Sequence, residues 1–191
     1  WDACQQFYRQ DAQCTLNDEI FKLNTGEVEF INQLGLVTQV TIKNSKIDYS
    51  HGFLLVCLLK RLKKHNPKIQ NIRFFETGTA RGFSAVAVSY IANELFEDYQ
   101  VTTLDVLDHY TKRYWNSIGD SEGRRSRQEL LDDYRNLLPK INFFTTRATS
   151  FMKKNEPQRF HLAFLDGQHT YRDVRREFNW VAKNQKVGDI I

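Results

Sequence analysis

The 191-residue chain has no apolar run approaching the ~20 residues that a membrane-crossing helix requires, so no such helix is expected. Nothing at its start reads as a secretory signal, and the first residue is Trp1 rather than Met, which suggests a piece of a longer protein. Cysteines are few. Cys4, Cys14 and Cys57 are an odd number without metal-ligand spacing, which predicts free thiols in a reducing compartment, with the cytoplasm the expected location. Excess charge is small as well: a net +4 is too mild to imply nucleic acid. Internal repeats and low-complexity tracts are absent. So is a Gly-x-Gly-x-x-Gly fingerprint. Starting that template at Gly78 requires glycine at 80 and 83, where Ala80 and Phe83 stand.

What is present is an ordinary globular composition, 41% hydrophobic and 26% charged, long enough for one domain with a real core. Residues 1–50 show no clean period, although 11–30 have room for a short helix. Phe53 to Leu62 is an apolar run followed by Lys63 and Lys64. It predicts a helix with cations at its C-terminal end, stopped by Asn66-Pro67. From Asn71 strands and helices alternate. Strands are predicted at 72–75, 101–106, 141–146 and 160–165, with the start of a fifth at 187–191. Helices are predicted at 84–95 and 128–138, the latter ended by Pro139. A further helix opens at Thr170 and Asp173, with Tyr171, Val174, Phe178 and Val181 on one face. Residues 108–127 read as a polar insertion. Its Arg124, Arg125 and Arg127 are expected on a solvated face, with an anionic-substrate contact as the sharper alternative. Alternation of this kind implies an α/β, Rossmann-like parallel sheet with ligands at the carboxyl ends of the strands.

Those ends carry the chemistry. The stretch from Phe74 to Ser84 reads as strand, glycine turn and helix start, with Glu76 just before the turn. Such a turn normally presents N–H groups to a phosphate. A carboxylate aimed into the pocket repels a phosphate and suits a cationic nucleoside such as S-adenosylmethionine. Asp105 ends the second strand and can accept from ribose hydroxyls, with Asp108 as the nearby substitute. Asp166-Gly167-Gln168-His169 follows the fourth strand. Asp166 can bind a cation or orient a hydroxyl, and His169 can act as a base. For each residue a bland structural role stands beside the functional one. His161 and His65 are read as structural or solvated, and His51 as structural with substrate contact the alternative.

At these residues the chain resembles the class I S-adenosylmethionine-dependent methyltransferases. It is most similar to a small-molecule O-methyltransferase group whose loop after strand four reads Asp-Gly-x-His-x-Tyr, here Asp166 to Tyr171. Glu76, Gly78, Gly82 and Ser84 match the group's first motif, and Asp105 its acidic strand end. The resemblance implies that Glu76, Thr77 and Gly78 hold the methionine portion of the cofactor, while Gly82, Phe83 and Ser84 shape the turn beneath it. It places Asp105 on the ribose and Ala148 and Thr149 near the adenine. It leaves open a magnesium ion, with Asp166 as its one matching ligand here and an acidic pair falling beyond Ile191. It further implies a truncated cofactor-binding domain over 70–191 lacking its C-terminal strands. Residues 1–69 add little to the resemblance and are expected to be a helical or irregular extension that caps the substrate side. The acceptor implied is a small molecule, such as a sugar hydroxyl, with no membrane partner and room for a homo-oligomer. Two other readings remain: an NAD-dependent oxidoreductase on a similar sheet, and a catalytically silent binding domain.

Overall fold

The computed structural model describes residues 23–40 and 49–191. Cys4, Cys14 and the first half of the 11–30 helix expectation lie outside them. Helix α1, Thr25–Thr38, starts at a capping box: Asn24 Oδ1 accepts from Glu27 N–H at 2.8 Å, and Glu27 Oε2 accepts from Asn24 N–H at 2.7 Å. The same buried Glu27 accepts from Lys60 Nζ at 2.8 Å, tying α1 to helix α2, Ser50–His65. Helix α2 closes with Lys63, Lys64 and His65 in its last turn, as the cation-rich end predicted.

Strand β1 spans Asn71–Thr77, helix α3 Phe83–Leu95 and strand β2 Asp98–Asp105. A short helix α4, Arg127–Leu130, precedes strand β3, Ile141–Thr145, and helix α5, Ala148–Lys154. Strand β4, Leu162–Leu165, and helix α6, Tyr171–Ala182, complete the order. The four strands pair in parallel in the order β3-β2-β1-β4. Ile190 bridges Leu162 in parallel, so the chain beyond α6 begins a further strand on the outer side of β4.

Parallel sheets are covered on both faces, and β1 shows why its sequence suits that. Successive side chains of a strand point to opposite faces. Phe74 enters the core made with α1, α2 and α3, among Ile31, Leu34, Val56, Leu59 and Ile91. Phe75 enters the opposite core with Leu104, Phe151, Phe160 and Trp180, its ring 4.8 Å from that of Phe160. Helices α1 and α2 therefore belong to the same core as the sheet. Among the described residues no helix is long and apolar enough to cross a membrane.

Two sequence expectations need correcting. The helix expected over 128–138 is broken: α4 stops at Leu130, and 3₁₀ turns at Asp132–Tyr134 and Leu138–Lys140 follow. Burial of Leu131 directly beneath Gly82, and of Leu130 and Leu137, fixes this winding path. On α6 the inward face is Glu177, Trp180 and Val181, whereas Tyr171 and Phe178 are 79% and 48% exposed.

Candidate functional site

Three residues of the turn after β1 have left-handed backbone. Gly78 has φ 89°, Ala80 φ 46° and Gly82 φ 92°. Glycine at 78 is required on two counts. The positive φ disfavours a side chain, and a Cβ there would lie 2.1 Å from the backbone oxygen of Asp166. The turn after β4 thus sits directly on the turn after β1. Ala80 has no such freedom and is held from both sides. Its N–H donates to Asp105 Oδ2 at 2.6 Å, and its carbonyl accepts from Arg127 Nε at 2.8 Å.

The N–H groups of this turn are largely spent within the protein. Those of Gly78 and Thr79 donate to Leu104 O, that of Ala80 to Asp105, and that of Gly82 to Thr79 O. Glu76 lies sealed under the turn at 0% exposure rather than aimed into the open pocket. It accepts from Ser84 Oγ and, at 2.5 Å, from Thr103 Oγ1, which is itself 2.6 Å from Thr79 Oγ1. Burial pushes its pKa up to about 7, with the nearby Asp166 charge adding to the rise. The two hydroxyls and Arg127 oppose it.

Beside the turn, at the carboxyl ends of the strands, opens a cavity of about 340 Å³. Thr77 and Gly78 line it from β1, Leu104, Asp105 and Val106 from β2, and 146–149 from the β3–α5 connection. Gly167, Gln168, Asp173 and Glu177 close the side toward α6. Of the sequence-predicted residues, Thr77, Gly78, Asp105, Ala148 and Thr149 come together here. Glu76, Gly82, Phe83 and Ser84 support the turn from behind. Phe83 is buried, with its ring 4.7 Å from His51. Asp166 and His169 lie outside the lining, with His169 Nε2 3.9 Å from Asp166 Oδ1 and its side chain 77% exposed. Among the described residues, no group of three or more His, Cys, Asp or Glu side chains is placed to hold a metal ion. The magnesium expectation thus finds no ligand set here.

Asp105 is the organised member of the set. Its Oδ2 accepts from Ala80 N–H and from Arg127 Nη2 at 3.2 Å, and its Oδ1 accepts from Leu107 N–H at 2.9 Å. A carboxylate has about four lone-pair sites, so Oδ1 keeps one for a ligand. Arg127 corrects the sequence reading of a solvated cluster. It is fully buried, with its guanidinium 5.6 Å from the Trp115 ring and 5.9 Å from that of Phe143. Arg124 does lie over Tyr114, and Arg125 pairs with Glu122. The polar insertion is tied down by Arg81 donating to Trp115 O and by a bridge between Arg113 and Arg125. Glu177 escaped the sequence reading, and Asp173 entered it only as a helix cap, where its N–H does donate to Thr170 Oγ1 at 3.2 Å. The available signal was their spacing of four, in line with Trp180 and Val181 on the inward face.

No curated protein sequence matches the chain. Among solved structures it is similar to the O-methyltransferase TomG from Streptomyces achromogenes, in complex with SAM. The identity is 17% and the TM-score 0.54, over 97% of this chain and 67% of that one. It is also similar to a crystal structure from Klebsiella pneumoniae described as that of an O-methyltransferase. There the identity is 18% and the TM-score 0.50, over 93% of this chain and 66% of that one. At these identities the likeness is one of fold, and the chain spans about two thirds of the length of either structure. A family model described as "Methyltransferase domain" matches residues 75–191, well over half of the chain and the whole of the cavity. The chain belongs to that methyltransferase-domain family.

Proposed function

We propose that the cavity binds S-adenosylmethionine and that the protein transfers its methyl group to a hydroxyl of a small molecule. One observation carries the reading. The turn that a dinucleotide would use for its diphosphate has four of its N–H groups occupied, and the adjoining cavity is lined by three carboxylates, Asp105, Asp173 and Glu177, against one cation, Arg147; Asp105 is paired with Arg127, and Asp173 lies 4.0 Å from Arg176. Phosphate recognition needs free donors and is disfavoured by a wall in which carboxylates outnumber cations. A nucleoside with a cationic end and no phosphate fits both features. The fold of the TomG structure, described in complex with SAM, supports the same ligand.

In this reading Asp105 Oδ1 accepts from the ribose, while Ala148, Thr149 and Val106 flank the adenine. Thr77 and Gly78 face the amino-acid portion, and Gly82, Phe83 and Ser84 hold the turn. Glu76 acts from beneath, through Ser84 and Thr103, rather than by touching the ligand. The cofactor supplies an electrophilic methyl group. The protein's part is alignment, since in-line transfer gains most from holding the two reactants in place. His169 takes the acceptor's proton, and the Asp166 carboxylate, 3.9 Å from its Nε2, favours the imidazolium that results. Residues 70–191 carry the cofactor site, and the segment before them serves as the substrate-side cap, with α1 and α2 anchored in the core of the sheet.

Calorimetric titration with S-adenosylhomocysteine and, separately, with NADH tests the assignment. Binding of the first alone is expected. Tight binding of NADH with no heat from the nucleoside would return the chain to the oxidoreductase reading. Nucleoside binding without turnover on any acceptor would favour a silent binding domain.

A further inference from the structure

Glu177 is a buried charge whose partner is missing. It stands on α6 at 2% exposure and lines the cavity. Its Oε2 accepts from Thr77 Oγ1 at 2.7 Å. Its Oε1 has no hydrogen-bond donor and no cation within ion-pair distance among the described residues. Oε1 is not sealed but stays accessible from the cavity, and a carboxylate held largely out of water gains when a positive group reaches it there. Gly167 lies beside this oxygen: a Cβ there would come within 3.6 Å of Oε1 and a tight 3.2 Å of Thr77. One turn toward the N-terminus of α6, Asp173 lines the same wall; its Oδ2 accepts from Thr170 Oγ1, and its Oδ1 lies 4.0 Å from Arg176 Nη1, at the outer limit of an ion pair. Burial, with the Asp173 charge adding to it, holds the Glu177 carboxyl above its ordinary range, while the Thr77 hydrogen bond and His169 oppose them. The wall is thus built to gain from a ligand cation.

We propose that Glu177 and Asp173 form the seat for the positive end of the bound nucleoside, its primary ammonium or its sulfonium. The seat rests on the ligand reading given above. It moves the cation-binding role from Glu76, which is sealed from the cavity, to carboxylates on a helix that no family motif singled out. Ligand binding would then connect β1 to α6 through Thr77, Glu177 and the cation. The nucleoside half would stay on Asp105.

The test separates charge from shape. Glu177→Gln keeps an oxygen for Thr77 Oγ1 and removes only the charge. Calorimetry on the full chain at pH 8 compares three probes: S-adenosylmethionine with both cationic groups, S-adenosylhomocysteine with the ammonium alone, and 5′-methylthioadenosine with neither. In the variant, affinity for the first two is expected to fall about tenfold or more, as for a lost charge-assisted contact. Affinity for methylthioadenosine should stay unchanged. Equal losses for the first two assign the ammonium, and a larger loss for S-adenosylmethionine assigns the sulfonium. Unchanged affinity for all three, or an equal fall for all three, overturns the seat. Asp173→Asn, at the more open first turn of α6, should show the same order of losses on a smaller scale if Glu177→Gln does not fold. A wild-type chain that binds methylthioadenosine but neither cationic probe overturns the seat while sparing the nucleoside site. One that binds none of the three overturns both.

Discussion

Removing the charge of Glu76 while keeping its shape should change how stability depends on pH. In the folded chain this carboxyl holds its proton up to about pH 7, against an ordinary value of 4.5, chiefly because it is fully buried. Between those values the folded chain keeps a proton that the unfolded chain releases. Stability therefore falls as pH rises through the window, and the cost is fully in force above pH 7. A rise from 4.5 to about 7 corresponds to roughly 3 kcal/mol at most. Glu76→Gln has no such cost. Its amide can donate to Thr103 Oγ1, which can turn to donate to Thr79 Oγ1, so the hydroxyl chain survives in reverse. The second amide proton finds no acceptor, a penalty of about 1–3 kcal/mol at every pH. The variant should be less stable than wild type at pH 5 and should gain on it as pH rises. Urea denaturation at intervals from pH 4.5 to 8 measures the difference. Titrations common to both chains cancel in it. A gap shifting by about 2–3 kcal/mol in favour of the variant is expected. Parallel curves, or a gap that moves the other way, would show that Glu76 is ionised well below neutrality and refute the argument.

Three further outcomes follow from the geometry. Arg127→Lys should destabilise the fold by about 2–4 kcal/mol in chemical denaturation, because one ammonium cannot reach both Ala80 O and Asp105 as the guanidinium does. It should also weaken nucleoside binding, since Ala80 and Asp105 lose their common anchor. Gly78→Ala should abolish measurable nucleoside binding by calorimetry, as its Cβ would meet the Asp166 backbone at 2.1 Å with φ at +89°. Phe75→Ala should cost about 3–5 kcal/mol in urea denaturation, because its ring fills the centre of the core shared with Phe160 and Trp180.

The alternation of strands and helices and the parallel sheet were legible because the chain repeats one local pattern: β-rich apolar residues, then a polar or glycine turn. Asn71–Thr77 and Asp98–Asp105 extend the predicted strands by a few residues, and α2 and α3 stand where their apolar spacing put them. What stayed hidden depends on contacts between distant segments. Arg127 looks like its solvated neighbours in sequence; only the approach of Trp115, Phe143 and Ala80 makes it an interior anchor. Helix α6 carries two stripes. The more apolar, with Tyr171, Val174 and Phe178, is largely exposed, while the one broken by Asp173 and Glu177 faces inward because those acids line a cavity. Gln128 to Leu138 has helical spacing, yet Leu131 is drawn under Gly82 and the helix ends early.

The central claim is a location as much as a ligand: a phosphate-free nucleoside lying across the ends of β1, β2 and β3. A crystal structure of the chain with S-adenosylhomocysteine tests it most directly. The account predicts the ribose on Asp105 Oδ1, the adenine beside Ala148 and Thr149, and the amino-acid end over Gly78. A nucleoside bound anywhere else, with this cavity left to solvent, would contradict it.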